Sequence, residues 1–181
     1  TETDLTVTGA AVDAETGEPV YSVTHTPDTA TASVTVTVAD NSIENVSVSV
    51  NSSIVDIAGN PLMEAVDGDQ TVDTVNPEAP IISVSDNDAT EGDAGAGVFT
   101  VTGEAGSSIE VTLTGAVGDL VKTIDGADGS AQAVTLSADE VATLGEGSVQ
   151  VSAIQTDEHG NVSLTASSDS FVIDTIDPEV S

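Results

Sequence analysis

The chain has 181 residues with 32 acidic side chains and one basic side chain, Lys122, which gives a formal net charge of -31. Because phosphates and anionic lipid headgroups would repel such a surface, we expect no binding to nucleic acid or to an anionic membrane surface. No run of about 18 apolar residues is present, so we also expect no membrane insertion. Cysteine is absent, so disulfides and thiolate metal sites are excluded.

The amino-acid composition favours folded β-structure over disorder. High charge with only three aromatic residues (Tyr21, Phe99 and Phe171) is typical of disordered chains. However, 38% of the residues are hydrophobic, and 27 Val with 24 Thr make up more than a quarter of the chain. Because these β-branched side chains suit a pleated surface, the composition predicts an all-β fold of one large or two small domains.

The first part of the chain contains five predicted strands. Residues 5–9 (LTVTG) echo residues 99–103 (FTVTG) further along the chain. If these segments correspond, the first domain lacks its first strand, and the missing strand would leave an exposed, sticky sheet edge. The predicted strands lie at residues 4–9, 20–26, 31–38, 44–51 and 67–74.

The second part of the chain contains about seven predicted strands in about 100 residues, which is typical of an immunoglobulin-like β-sandwich. Residues 137–141 (SADEV) instead predict a capped helical turn that stops at Gly145. The predicted strands lie at 80–85, 97–102, 109–114, 119–124, 131–136, 147–156 and 163–174. Clusters of Gly, Asp and Ser predict loops at 86–97, 103–107, 125–130 and 157–160, with a hairpin turn at 125–129.

Two sequence blocks recur with an offset of 101 residues. Residues 56–60 (DIAGN) match 157–161 (DEHGN), and residues 73–78 (DTVNPE) match 174–179 (DTIDPE). Seven identities in register indicate a tandem repeat. The second block predicts a strand end that runs into a proline-fixed linker. We therefore predict one domain at residues 1–76 and another at 77–181, which ends in the next linker.

Residues 56–61, 72–80 and 98–114 resemble the immunoglobulin-like extender repeats of large type I-secreted RTX adhesins of Gram-negative bacteria. The family pattern is roughly G-T-A-E-x-G-S-x-V-x-V, then D-x-x-G-N, then V-D-T-x-x-P. Residues 103–111 (GEAGSSIEV) carry the Glu one place early and lack the small spacer, whereas the other blocks match well in both copies. The resemblance covers about 78–178 fully and 1–77 partly.

The resemblance implies tandem immunoglobulin-like β-sandwiches joined end to end, with Ca²⁺ bound at the junctions. It also implies an extracellular location on the bacterial surface, neighbouring repeats of the same chain as partners, and a monomer. In such a sandwich the last strand ends at the pole that faces the next domain, and the loop between the last two strands lies at the opposite pole. Six oxygen-bearing side chains would then surround one junction: Asp73, Asn76, Glu78, Glu104, Asp157 and Asn161.

Six to eight hard oxygen ligands are what Ca²⁺ takes, and carboxylates packed together without basic partners are otherwise unfavourable. The alternative is that the Asp-x-x-Gly-Asn and Asp-Thr segments are only turn formers. Asp56 and Asn60, the counterparts of Asp157 and Asn161 in the repeat, would face an upstream domain. Asp174, the counterpart of Asp73, would face a downstream domain together with Asp177 and Glu179.

The loop with Asp86 and Asp88 is a second calcium candidate, because it should lie at the same pole as Asp174. Its sequence resembles the opening of an EF-hand loop, but Gly stands at position seven and no Glu stands at position twelve. An EF-hand is therefore excluded, and the loop either binds Ca²⁺ in another way or is a solvated acidic loop.

No catalytic motif is present, so we expect no enzyme. The spacings G-x-S-x-G, H-E-x-x-H and the P-loop are absent, and His25, in a predicted strand, and His159, in a loop, have no matching nucleophile. The leading expectation is a structural stalk module of an adhesin that calcium makes rigid. The alternative is a ligand-binding module for a glycan or another cell surface, although three aromatic residues offer little for such a site.

Overall fold

The computed structural model describes residues 5–25, 32–50, 59–60, 67–84, 88–167 and 170–176. The chain divides into two compact units, Thr1–Val75 and Asn76–Ser181. The fold is mostly β, with several antiparallel sheets, and its described residues include two short helices. Neither of these helices is long and apolar enough to cross a bilayer.

In the first unit, the described residues form two antiparallel sheets. Strand β4 lies between β1 and β5 in a three-stranded sheet, and β2 pairs with β3. All five predicted strands of this part are confirmed, with ends that differ by two residues or fewer. The strands are β1 (Leu5–Thr8), β2 (Tyr21–His25), β3 (Ala32–Val36), β4 (Ile43–Val50) and β5 (Asp67–Asp73).

The second unit contains two further sheets and both helices. Its strands are β6 (Ile81–Val84), β7 (Asp88–Ala89), β8 (Phe99–Thr102), β9 (Ser108–Thr114), β10 (Asp119–Ile124), β11 (Gln132–Val134), β12 (Gly147–Thr156), β13 (Ala166–Ser167) and β14 (Phe171–Ile173). One sheet has the order β11-β8-β6, and the other has the order β10-β9-β12-β14-β7, with β13 also paired to β12. The helices are α1 (Glu91–Ala96) and α2 (Ala138–Leu144).

Most predicted elements of this part are confirmed, including the capped helical turn at 137–141, which forms the start of α2. Ser137 is its N-cap, and the Glu140 side chain accepts a hydrogen bond from the Ser137 main chain at 2.8 Å. The helix ends at Gly145, whose φ of 79° is a left-handed conformation that favours glycine. The strand at 97–102 is also present, but it begins at Phe99.

Three predictions for the second unit are wrong. The loop at 86–97 contains β7 and α1, because Thr90 and Asp93 form a reciprocal capping box that starts a helix. The single strand at 163–174 is two short strands, each paired with β12. The hairpin turn at 125–129 instead joins two sheets, since β10 pairs with β9 whereas β11 pairs with β8.

The core of the second unit takes side chains from both of its sheets. Alternate residues of β9 and β12 are buried, and they pack with buried residues of β8 and β14. The Phe99 and Phe171 rings are fully buried and stacked, with centroids 6.0 Å apart. Each large apolar side chain buried in this way contributes roughly 1.5–3 kcal/mol.

The first unit buries its apolar side chains only in part. No side chain described in this unit is fully buried, and Val12 and Ile43 are 64% and 63% exposed. An open cleft of about 510 Å³ separates β3 from the β4–β5 pair, and its apolar lining is Val34, Val36, Val38, Val46, Val48 and Val72.

Strand β1 pairs in the way that β9 does, and its pairing does not follow the predicted match of residues 5–9 with residues 99–103 in β8. Strand β4 has β1 and β5 as neighbours, just as β12 has β9 and β14, whereas β8 pairs with β6 and β11. Residues 5–10 (LTVTGA) also resemble residues 111–116 (VTLTGA). In both segments the glycine packs against the main chain: a Cβ would lie 2.4 Å from Asn45 O at Gly9, and 2.3 Å from Leu144 O at Gly115.

Candidate metal centre

Three segments of the second unit meet at one buried side chain, Gln155, near the end of β12. Its Nε2 donates a hydrogen bond to Glu78 O at 2.6 Å. Its Oε1 accepts hydrogen bonds from Glu104 N and Ser107 Oγ, both at 2.8 Å. The linker residue Glu78, the loop at 103–107 and the end of β12 are therefore held at one pole of this unit.

Buried polar side chains also gather at this pole. Ser107, Gln155 and Ser163 are the buried polar residues of the described chain, and all three belong to one network. Ser163 Oγ accepts a hydrogen bond from Gln155 N at 3.0 Å and donates to Leu164 O at 2.8 Å. At Gly103 a Cβ would lie 2.5 Å from both Gln155 Oε1 and Ile109 Cδ1, so a larger residue here would displace these side chains.

Asp157 and Asn161 lie together in the tight loop that follows β12. Asp157 Oδ1 accepts hydrogen bonds from the main chain of His159 and Asn161, both at 2.8 Å, and Asn161 Nδ2 donates to Asp157 Oδ2 at 2.8 Å. Partial desolvation raises the pKa of Asp157, but hydrogen bonds from Asn161, His159 and Gly160 outweigh it and hold the pKa below its usual value. The turn chemistry of the alternative interpretation is therefore present.

The repeated Asp-Thr block forms the same local turn in both copies. Asp73 Oδ1 accepts a hydrogen bond from Val75 N at 2.8 Å, and Asp174 Oδ1 accepts one from Ile176 N at 3.1 Å. In both copies the main-chain N–H of the threonine donates a hydrogen bond to the residue that precedes a long strand. Thr74 N donates to Ser42 O, before β4, and Thr175 N donates to the Glu146 carboxylate, before β12.

The structure brings only some of the predicted ligands together. Glu78 and Glu104 share Gln155, which precedes Asp157 by two residues. The carboxylates of Glu78 and Glu104 are exposed and have no hydrogen bond or ion pair among the described residues. Within the second unit alone, no three described Asp, Glu or His residues place ligand atoms within 4.8 Å of one another. Asn76 is exposed in the linker.

The second calcium candidate is described only in part. Asp174 N donates to Ala89 O at 3.1 Å, so the main chain of β7, which contains Asp88, lies beside Asp174. Asn60 is exposed. The other predicted residues lie outside the described residues: Asp56, Asp86, Asp177 and Glu179.

The one Lys or Arg side chain of the protein is paired with a different carboxylate. The single basic residue, Lys122, binds both carboxylate oxygens of Glu140 at 2.8 Å and Thr135 O at 2.7 Å. The hydrogen bond from Lys122, followed by that from the Ser137 main chain, holds the pKa of Glu140 below its usual value. Carboxylate and amide oxygens are donors for a hard cation, so the donor chemistry of this pole fits Ca²⁺.

Sequence reasoning missed Gln155, although the pattern of β12 carries a signal. Val149, Val151 and Ala153 alternate into the core, and Gln155 continues the same alternation. A polar residue on the buried face of a strand indicates a hydrogen-bonded network rather than a solvated side chain.

Comparison with protein-family models, with curated proteins and with solved structures finds no match to this chain.

Proposed function

We propose that the chain is a pair of extender modules from the stalk of a bacterial cell-surface adhesin, made rigid by Ca²⁺ bound at the junctions between modules. In this proposal each module is an immunoglobulin-like β-sandwich. The observation that carries it is the acidic block that occurs twice, 101 residues apart, in a chain whose single Lys or Arg is paired with Glu140.

The proposed ligands at the junction are oxygens from the linker and from the second unit. Asp73, Asn76 and Glu78 are close in sequence, and Glu104, Asp157 and Asn161 belong to loops of the second unit. Glu78 and Glu104 supply exposed carboxylates without a partner, and repulsion between such groups favours a divalent cation. A bound cation would remove this repulsion and restrict the linker.

Calcium would then act as a switch that depends on location. Extracellular modules typically bind Ca²⁺ with a Kd of about 10⁻⁴–10⁻³ M, so the sites would be empty in the cytosol and filled outside the cell. This behaviour suits a chain that is secreted unfolded by a type I system and folds after export.

The buried aromatic residues favour the stalk over a ligand-binding module. Phe99 and Phe171 are fully buried in the core, so neither can stack on a sugar at the surface. Tyr21 is half-buried in β2.

Thermal melting of the full chain in Ca²⁺ and in chelator tests the proposal. Because Ca²⁺ binds the folded form, a concentration ten times the Kd should add about 1.4 kcal/mol per site and raise the Tm. Superimposable melting curves in the two conditions would contradict the proposal.

Matched variants separate ligation from general charge. Glu78→Gln and Glu110→Gln each remove one negative charge, but Glu110 is an exposed residue in the middle of β9. We expect Glu78→Gln to reduce the calcium-dependent rise in Tm and Glu110→Gln to leave it unchanged. Equal effects of the two variants would indicate only non-specific screening of the net charge.

A further inference from the structure

We propose that Gln155 is a positioning residue for the calcium site, which fixes the main chains of Glu78 and Glu104 so that their carboxylates are presented at the pole that carries Asp157. The inference rests on the proposed function, because it takes the calcium site as given and assigns the side chain that shapes it.

The first argument is that one amide group holds three segments that are distant in sequence. The bond from Nε2 to Glu78 O connects residues 77 positions apart, and the bond from Glu104 N to Oε1 connects residues 51 positions apart. The orientation of the amide is fixed, because exchanging its oxygen and nitrogen would place Nε2 against the N–H of Glu104 and Oε1 against the carbonyl of Glu78.

The second argument concerns the position of Gln155 in the core. It is 2% exposed and continues the buried face of Val149, Val151 and Ala153, where an apolar side chain would pack without losing contacts to water. A hydrogen-bonded polar group at such a position adds little net stability, because its desolvation offsets most of the bond energy. What the network does provide is a defined geometry for the groups that it connects.

The third argument is that the two residues bonded to Gln155, Glu78 and Glu104, both have carboxylates without a partner among the described residues. Glu78 and Glu104 are fixed through main-chain atoms, and their side chains remain exposed and without a hydrogen bond among the described residues. Fixing the main chain reduces the freedom that each carboxylate loses when it binds a cation, which increases affinity. Asp157, two residues beyond Gln155, is held independently by its own turn.

The test is isothermal titration of the full chain with CaCl₂, for the wild type, Gln155→Met and Ser107→Ala. Gln155→Met keeps the length of the side chain and removes both hydrogen-bonding groups. Groups that orient metal ligands typically change affinity by about 10–100-fold, and we expect Gln155→Met to raise the Kd by this factor. Ser107→Ala removes one partner of Oε1 and a contact to Glu104 O, but it keeps the bonds from Gln155 to Glu78 O and Glu104 N, so we expect a smaller change in Kd than for Gln155→Met.

A double-mutant cycle tests whether Gln155 acts through Glu78. In a Glu78→Gln background the carboxylate is already lost, so adding Gln155→Met should weaken binding by a smaller factor than it does in the wild type. Fully additive effects would contradict action through Glu78.

A measurement on the wild type covers the case in which Gln155→Met does not fold. In an NMR titration with Ca²⁺, we expect the side-chain NH₂ signals of Gln155 and the amide signal of Glu104 to shift with the same Kd as the calorimetric binding. Unshifted signals during calcium binding overturn the inference.

The two proposals fail in different ways. A wild-type chain that binds no Ca²⁺ overturns the proposed function, and the inference falls with it. A wild type that binds Ca²⁺, together with a Gln155→Met variant of lower Tm in chelator but unchanged Kd, leaves the proposed function intact. That result gives Gln155 a purely structural role and overturns the inference.

Discussion

The two units share a strand pattern but differ in burial. Strands β1, β4 and β5 of the first unit pair as β9, β12 and β14 do in the second. In the second unit the β6–β8–β11 sheet also contributes side chains to the core, and Phe99 and Val101 are fully buried. In the first unit an open cleft lies over Val46 and Val48, and no described residue is fully buried.

This difference shows that alternation of apolar and polar residues predicts a strand but not its burial. An apolar face is buried only when another layer packs against it, and this layer comes from elsewhere in the sequence. The same difference predicts how substitutions in the two units should affect stability.

The largest expected effect is the loss of an aromatic side chain from the core of the second unit. Phe171→Ala should lower the free energy of unfolding of that unit by about 3–5 kcal/mol, because it leaves a cavity beside Phe99. Val48→Ala removes a half-buried side chain of the first unit and should cost only about 1 kcal/mol.

Urea unfolding followed by circular dichroism and by tyrosine fluorescence would measure both variants. The chain has no Trp, and its single Tyr lies in β2, so the fluorescence reports on the first unit alone. Similar losses for Phe171→Ala and Val48→Ala would show that the two units are equally well packed.

Glycine substitutions should have opposite signs at two positions in the second unit. In Gly115→Ala the new Cβ would lie 2.3 Å from Leu144 O, and such overpacking typically costs about 1–3 kcal/mol. In Gly95→Ala the new Cβ, on α1, meets no atom within 4 Å, so this variant should gain about 0.5–1 kcal/mol. Gly9→Ala should also be destabilising in the first unit, because φ is 73° and the new Cβ would lie 2.4 Å from Asn45 O. Thermal melting of the three variants measures these signs, and a neutral Gly9→Ala would contradict the close packing at Gly9.

A smaller effect is expected at the N-terminus of α2. Glu140→Ala removes the capping box and the ion pair to Lys122, and should cost about 1–2 kcal/mol. Asp139→Ala removes a neighbouring carboxylate with an exposed side chain, and should change stability by less than about 0.5 kcal/mol. Equal losses for the two variants would assign the effect to general charge at the helix end rather than to the cap.

The contribution of Glu140 should also depend on pH. Because its pKa is lowered in the folded protein, the stabilisation is complete above the unfolded pKa of about 4.3 and is lost as the pH falls through the folded value. The difference in Tm between the wild type and Glu140→Ala should therefore be constant near neutral pH and shrink below about pH 4. A difference that persists in strong acid would contradict this assignment.

The sequence predicts most strands of this fold, because Val and Thr alternate clearly in segments such as 109–114 and 147–156. The sequence does not predict α1, because its six residues show no periodic spacing of apolar side chains. The only sequence signal for this helix is the capping pair Thr90 and Asp93. The sequence also matched residues 5–9 with β8, although β1 pairs as β9 does, because the similarity of a five-residue segment does not determine pairing.

The sequence singles out acidic residues of the candidate site, but it does not identify the buried side chain that connects its segments. The repeat at 101 residues singled out Asp73 and Asp157, whose carboxylates accept main-chain hydrogen bonds in the structure. Gln155 was missed because its role depends on contacts with Glu78 and Glu104, which are far away in sequence. Such a contact can be recognised only when the fold is known.

The central claim, that calcium makes the stalk rigid, is tested most directly by small-angle X-ray scattering of the full chain in millimolar Ca²⁺ and in chelator. We predict that Ca²⁺ gives a longer and stiffer particle, with a larger maximum dimension than in chelator. Identical scattering profiles in the two conditions would contradict the claim.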